Sequence, residues 1–158
     1  MSERPAAALA PPARVLGFDF GQRRIGVAAG QAYTGTAEAL TVVQNGPNGP
    51  DWTRLAALVR EWRPVALVVG RPLTLAGEEQ PASQAAKGFA RGLEKRFGLP
   101  VHAQDERLSS READQRFVEM RRRGQKRARD ASQLDALAAQ VIVEDFYAGW
   151  PEGARHAG

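Results

Sequence analysis

Residues Val15-Leu16-Gly17-Phe18-Asp19-Phe20-Gly21-Gln22-Arg23-Arg24-Ile25-Gly26-Val27-Ala28 set one carboxylate inside an apolar β-prone run, follow it with a glycine, and return at once in a second apolar run. Two such runs joined by Gly21 and its polar neighbours fold as a hairpin. A carboxylate buried without a partner destabilises the fold by several kcal/mol or titrates to neutrality. Asp19 therefore needs compensation, and a divalent cation shared with other acids is the reading that best supplies it.

Composition narrows the class. At 158 residues and 43% hydrophobic content, the chain can bury roughly two-thirds of its unfolded surface, which suits one compact domain. It contains no cysteine, which excludes disulfides, thiolate zinc sites and cysteine nucleophiles. Glu3, Arg4 and the Ala/Pro stretch after them do not form a signal peptide, and no span approaches the roughly 18–20 apolar residues of a membrane helix. A soluble cytoplasmic protein with no membrane contact is expected. The formal charge is +4, yet Arg121, Arg122, Arg123, Lys126, Arg127 and Arg129 place six cations in nine residues, leaving about −2 for everything else. Local basicity of this kind is what a protein presents to a polyanion such as nucleic acid.

Element signals follow in order. Residues 1–13 and 149–158 read as flexible tails around a domain spanning 14–148. Strands are expected at 14–20, 24–30 and 37–43, the third ending in the loop signal Asn45-Gly46-Pro47-Asn48-Gly49-Pro50. Asp51 caps a helix with Trp52, Leu55, Leu58, Val59 and Trp62 on one face, both tryptophans in the core, and Pro64 stops it. Val65–Val69 is a strand covered on both faces. Pro81 opens a second helix with a stripe of Ala85, Phe89, Leu93 and Phe97, closed by Gly98 and Pro100. Val101–Gln104 is the fifth strand. Ser109 and Glu112 have capping-box spacing for a helix reaching about Arg122. A last helix runs from about Ala131 to Tyr147 with Leu134, Ala138, Val141 and Ile142 inward. Three antiparallel strands followed by strands alternating with helices give an α/β, RNase H-like fold: a five-stranded mixed sheet with helices on both faces.

Three acidic positions fall where they can meet: Asp19, the Asp105-Glu106 pair, and an aspartate near the start of the last helix. Asp130 with Gln133 matches a helix cap, whereas Asp135 lies beside the inward stripe, so Asp135 is the candidate. Strand alternation puts Asp105 and Glu106 on opposite faces, so only one aims at Asp19. Glutamate has the longer reach, but the spacing leaves the choice open. Mg²⁺ or Mn²⁺ suits such oxygen ligands, and two ions about 4 Å apart stabilise the attacking and leaving oxygens of phosphodiester hydrolysis.

Taken in order, Phe18-Asp19-Phe20-Gly21 with Arg24-Ile25-Gly26-Val27-Ala28, Val69-Gly70-Arg71-Pro72-Leu73 with Gly77, Asp105-Glu106-Arg107-Leu108-Ser109 and Leu134-Asp135 resemble the YqgF/RuvX family of Holliday junction resolvases, RNase H-like nucleases. The resemblance spans about residues 14–147. It implies a metal-dependent nuclease whose catalytic and metal-binding acids are Asp19, Glu106 and Asp135, with Asp105, Arg107, Gly21 and Arg24 in support. It implies as substrate either four-way DNA junctions, whose paired incisions favour a homodimer, or the 5′ end of precursor 16S ribosomal RNA. Where the family often carries a lysine two positions before the last aspartate, this chain has Gln133. The glycine-broken basic segment from Arg121 to Arg129 is the candidate to grip the nucleic-acid backbone instead. Two other classes compete: a noncatalytic nucleic-acid-binding module, and an ATP-binding half of an actin-like fold, which needs two such domains around a cleft. His102 and His156 receive no role.

Overall fold

The computed structural model describes residues 10–72, 76–105 and 131–150. In chain order it contains strands β1 (Arg14–Phe20), β2 (Arg24–Gln31), β3 (Thr36–Gly46) and β4 (Gly49–Pro50), helix α1 (Trp52–Trp62), strand β5 (Ala66–Arg71), helix α2 (Pro81–Phe97), strand β6 (Val101–Asp105) and helix α3 (Ala131–Ala148). The sheet order is β4-β3-β2-β1-β5-β6. The first strands pair antiparallel, while β1–β5 and β5–β6 pair parallel. This is the mixed RNase H-like sheet expected, with six strands rather than five. The sixth arises because β3 runs on past Val43 and turns back at once. Gly49, at φ 102°, closes the turn so that Asn45 and Gly46 pair with Pro50 and Gly49.

Period-two alternation sends β1 side chains to two separate cores. Leu16 and Phe18 join Ile25, Val27, Leu67 and Val69 beneath Leu55 and Leu58 of α1 and Phe89 and Leu93 of α2. Val15 joins Ala28 and Val68 beneath Ala139, Ile142, Val143 and Tyr147 of α3. Asp19, in phase with Val15 and Gly17, belongs to the α3 face. The helix ends behave as their residues dictate. Asp51 Oδ1 accepts the Arg54 N–H at 3.1 Å, and Arg63 leaves α1 in the left-handed region at φ 48° just before Pro64. Gly98, at φ 65°, ends α2 and donates to the Glu94 carbonyl at 2.9 Å.

Several expectations shift. Trp52 and Trp62 are half-buried flanks of the first core rather than its centre, and the Arg96 guanidinium lies 4.2 Å from the Trp52 ring centroid. On α2, Ala86 is buried and Ala85 exposed. On α3 the inward line is Ala136, Ala139, Ile142, Val143, Phe146 and Tyr147, with Leu134, Ala138 and Val141 half-buried. The last residues of the expected leading tail are docked: Pro11 is buried, the Tyr147 hydroxyl donates to the Pro12 carbonyl at 2.8 Å, and the Ala32 N–H donates to the Ala13 carbonyl at 3.0 Å. Burial raises the Tyr147 hydroxyl above its usual pKa, keeping it a donor. Beyond α3, Trp150 is buried and meets Phe146 edge-on at 6.2 Å. The expected helix over 109–122 with its Ser109/Glu112 cap lies outside the described residues, as do positions 1–9 and 151–158. Among the described residues no helix is long and apolar enough to cross a membrane.

Candidate active site

Three glycines decide how closely α3 approaches the sheet. A methyl group on Gly17 or Gly30 would run into Val143, and one on Gly26 would overlap the Asp135 carbonyl and sit 3.0 Å from the Ala136 nitrogen. The helix backbone therefore rests where the sheet has no side chains. This seats Asp135 over Gly26, and Gly26 is the residue facing Asp19 across β1 and β2. Two carboxylates from opposite ends of the chain meet at the end of β1. Burial pushes the Asp19 carboxyl from its ordinary 3.8 up to about 6, and the charge of Asp135 pushes it the same way. Arg24 Nε donates to Asp135 Oδ2 at 2.8 Å, with side-chain exposures of 36% and 29%.

The turn between β1 and β2 is fixed by its own bonds and by β3. Gly21 N–H donates to the Arg24 carbonyl at 3.0 Å, and Asn45 N–H donates to the Arg23 carbonyl at 2.9 Å. Asn45 Nδ2 also donates to the Gly21 carbonyl at 2.7 Å. A side chain on Gly21 would lie 2.6 Å from the Arg24 carbonyl, so the turn accepts only glycine without shifting. Asn45 is a site-supporting residue that sequence reading missed. Its signal was present, in a cluster read only as an open loop.

On β6, Val101 packs on the α1/α2 core while the His102 ring lies 5.2 Å from Phe146 of α3. Alternation through the strand puts Asp105, opposite Arg71 in the β5–β6 register, on the α1/α2 side. Asp105 thus does not share the face of Asp19. Glu79 is paired with Lys87 and Arg71; hydrogen bonds from Lys87 first and Arg71 next hold its carboxyl below the usual range. Glu106, Arg107, Asp130 and the basic residues Arg121, Arg122, Arg123, Lys126, Arg127 and Arg129 lie outside the described residues. Among the described residues no three acids, histidines or cysteines gather into a metal-holding group. Two converging carboxylates, one raised to about 6 by burial and the other paired with the half-exposed Arg24 guanidinium, nevertheless suit part of the oxygen shell of a divalent ion.

Comparison with known proteins agrees with this architecture. Among solved structures, Thermus thermophilus RuvC in complex with a Holliday junction substrate superposes with a TM-score of 0.53 at 24% identity, covering 85% of this chain and 94% of that one. A second Thermus thermophilus RuvC structure gives 0.51 at 21% identity, covering 85% and 95%. At these identities the likeness establishes the fold. A protein of Xanthomonas campestris pv. campestris (strain B100) named "Putative pre-16S rRNA nuclease" is 54% identical over 149 residues, covering 94% of this chain and 96% of its own. One of the same name from Xanthomonas axonopodis pv. citri (strain 306) is 53% identical over 143 residues, covering 90% and 92%. The family described as "RuvX: Holliday junction resolvase" matches residues 13–148, from the residue before β1 to the last residue of α3. With both acid-bearing ends of the fold inside that span, the chain belongs to the RuvX family of Holliday junction resolvases, a family of nucleases.

Proposed function

We propose that this chain is a divalent-metal-dependent endonuclease that hydrolyses phosphodiester bonds in structured nucleic acid, with the 5′ end of precursor 16S ribosomal RNA as its substrate in the cytoplasm. The observation that carries the reading is the meeting of Asp19 and Asp135 at the end of β1, where burial first and the Asp135 charge next push the Asp19 carboxyl up to about 6. Structural acids are seldom kept so costly to ionise, whereas active sites tune them this way. The substrate follows from the name shared by relatives at 54% and 53% identity. Four-way DNA junctions are the second reading, favoured by the family description; symmetric incision would then call for a homodimer.

Asp19 and Asp135 are the ligands on the α3 face; Asp105 takes the other face, and its neighbour Glu106 is the third ligand that the family resemblance implies. Mg²⁺ or Mn²⁺ held by these acids would supply Lewis acidity for phosphodiester hydrolysis. Gly21 shapes the turn and Arg24 orients Asp135, while Asp105 and Arg107 take the supporting role that the family resemblance implies. Arg121, Arg122, Arg123, Lys126, Arg127 and Arg129 grip the phosphate backbone. The nuclease domain comprises 14–148 together with the docked Pro11–Ala13 and Trp150 at its ends.

The test incubates the purified chain and Asp19→Asn in Mn²⁺ with a precursor 16S leader RNA and with a synthetic junction. Wild type cuts the RNA at a defined position, and the variant loses about 100-fold or more. Equal cleavage by the variant refutes the active-site assignment. Cleavage of the junction alone selects the second reading.

A further inference from the structure

Arg24 and Asp135 are 111 positions apart in sequence, yet their side chains close on each other at 2.8 Å at the site where the two acids meet. Arg24 opens β2 directly after the fixed turn, and Asp135 sits in the first turns of α3. Neither partner is deeply buried, at 36% and 29% side-chain exposure, so the pair exchanges with solvent and with ions. Charge bookkeeping defines the consequence. Among the described residues, ionised Asp19 and Asp135 with Arg24 leave a net −1, and a divalent cation arriving there faces the same carboxylate as the guanidinium. The ion and the guanidinium can use different oxygens of Asp135, but as like charges at close range each weakens the other's hold on it.

We propose that Arg24 is a resident counter-cation that competes with the divalent ion for Asp135, lowering the site's affinity for metal while holding the carboxylate in place when no metal is bound. The inference rests on the acid pair being the metal site. It makes Arg24 a positioning residue whose removal strengthens metal binding. A guanidinium that only braces the ligand would do the reverse, because its loss would let Asp135 swing away.

Mn²⁺ binding to the full chain is measured by titration calorimetry and by the ion-induced rise in melting temperature, for wild type, Arg24→Met, Arg24→Gln and Arg24→Lys. Arg24→Met melts lower than wild type in chelator, binds Mn²⁺ with a Kd about threefold lower, and shows the larger ion-induced rise. Arg24→Gln, which keeps a donor without the charge, behaves the same way and replaces Arg24→Met should that variant not fold. Arg24→Lys restores a Kd near that of wild type. Unchanged or weaker Mn²⁺ binding in the uncharged variants overturns the inference and leaves the acid site standing. Absence of any Mn²⁺ response in wild type overturns the site itself, and this inference with it.

Discussion

Replacing Asp19 by asparagine should stabilise the metal-free protein above pH 6 while abolishing its chemistry. The carboxyl protonates at about 6 in the fold against an ordinary 3.8. An acid whose folded pKa lies above its unfolded one is a better acid unfolded. Its contribution is neutral below about pH 4, turns unfavourable as pH rises from 4 to 6, and stays so above. Two pKa units correspond to about 3 kcal/mol at most. Asp19 keeps some contact with solvent, so a realised effect of about 1–3 kcal/mol is the working figure. For a chain of this size, at about 2–4 °C per kcal/mol, that is a rise in melting temperature of roughly 2–12 °C. Asparagine has nearly the same shape and no charge, so the variant should melt above wild type at pH 7–8 in chelator and match it at pH 4. The assay is thermal unfolding across pH 4–8. A variant that melts below wild type at pH 8, or gains as much at pH 4 as at pH 8, refutes the claim that burial and the Asp135 charge strain this group. Stability gained by deleting a functional charge is the usual trade at an active site.

Three further outcomes are expected. Gly26→Ala places a methyl inside the Asp135 carbonyl, and the overpacking should destabilise by about 1–3 kcal/mol; Gly88→Ala, in an exposed helical position with open space around it, should instead stabilise by up to about 1 kcal/mol in the same urea titration. Neutralising Arg122, Arg123 and Arg127 together should weaken nucleic-acid binding and reduce the slope of log affinity against log salt by about two to three, and an unchanged slope removes that segment from the interface.

The strands of the open sheet could be read from their alternation, and so could the helix caps at Asp51 and Gly98, because each is a local preference written over a few neighbouring residues. Asp19 was readable for the same reason: a charge inside Val15–Phe20 contradicts its surroundings. What escaped was set by close approach. Gly17, Gly26 and Gly30 look like ordinary strand glycines until α3 is laid on them. That contact puts Ala136, Ala139 and Val143 on the inward line of α3, where hydropathy alone favours Leu134 and Val141. The same blindness put Pro11–Ala13 and Trp150 in the tails, since their partners Tyr147, Ala32 and Phe146 are distant in sequence or obscured by a glycine. Asn45 was hidden because a run of Asn, Gly and Pro signals a turn without revealing that its first side chain reaches back to another turn.

The three bonds that lock the Gly21–Arg24 turn to itself and to Asn45 carry a consequence for how tightly ligands are held. A corner already frozen has little configurational freedom left to surrender when an ion or a phosphate arrives, so contact energy passes into affinity almost undiminished. Loosening it through Asn45, a residue remote from any reacting atom, taxes every later encounter with the entropy of rebuilding the corner.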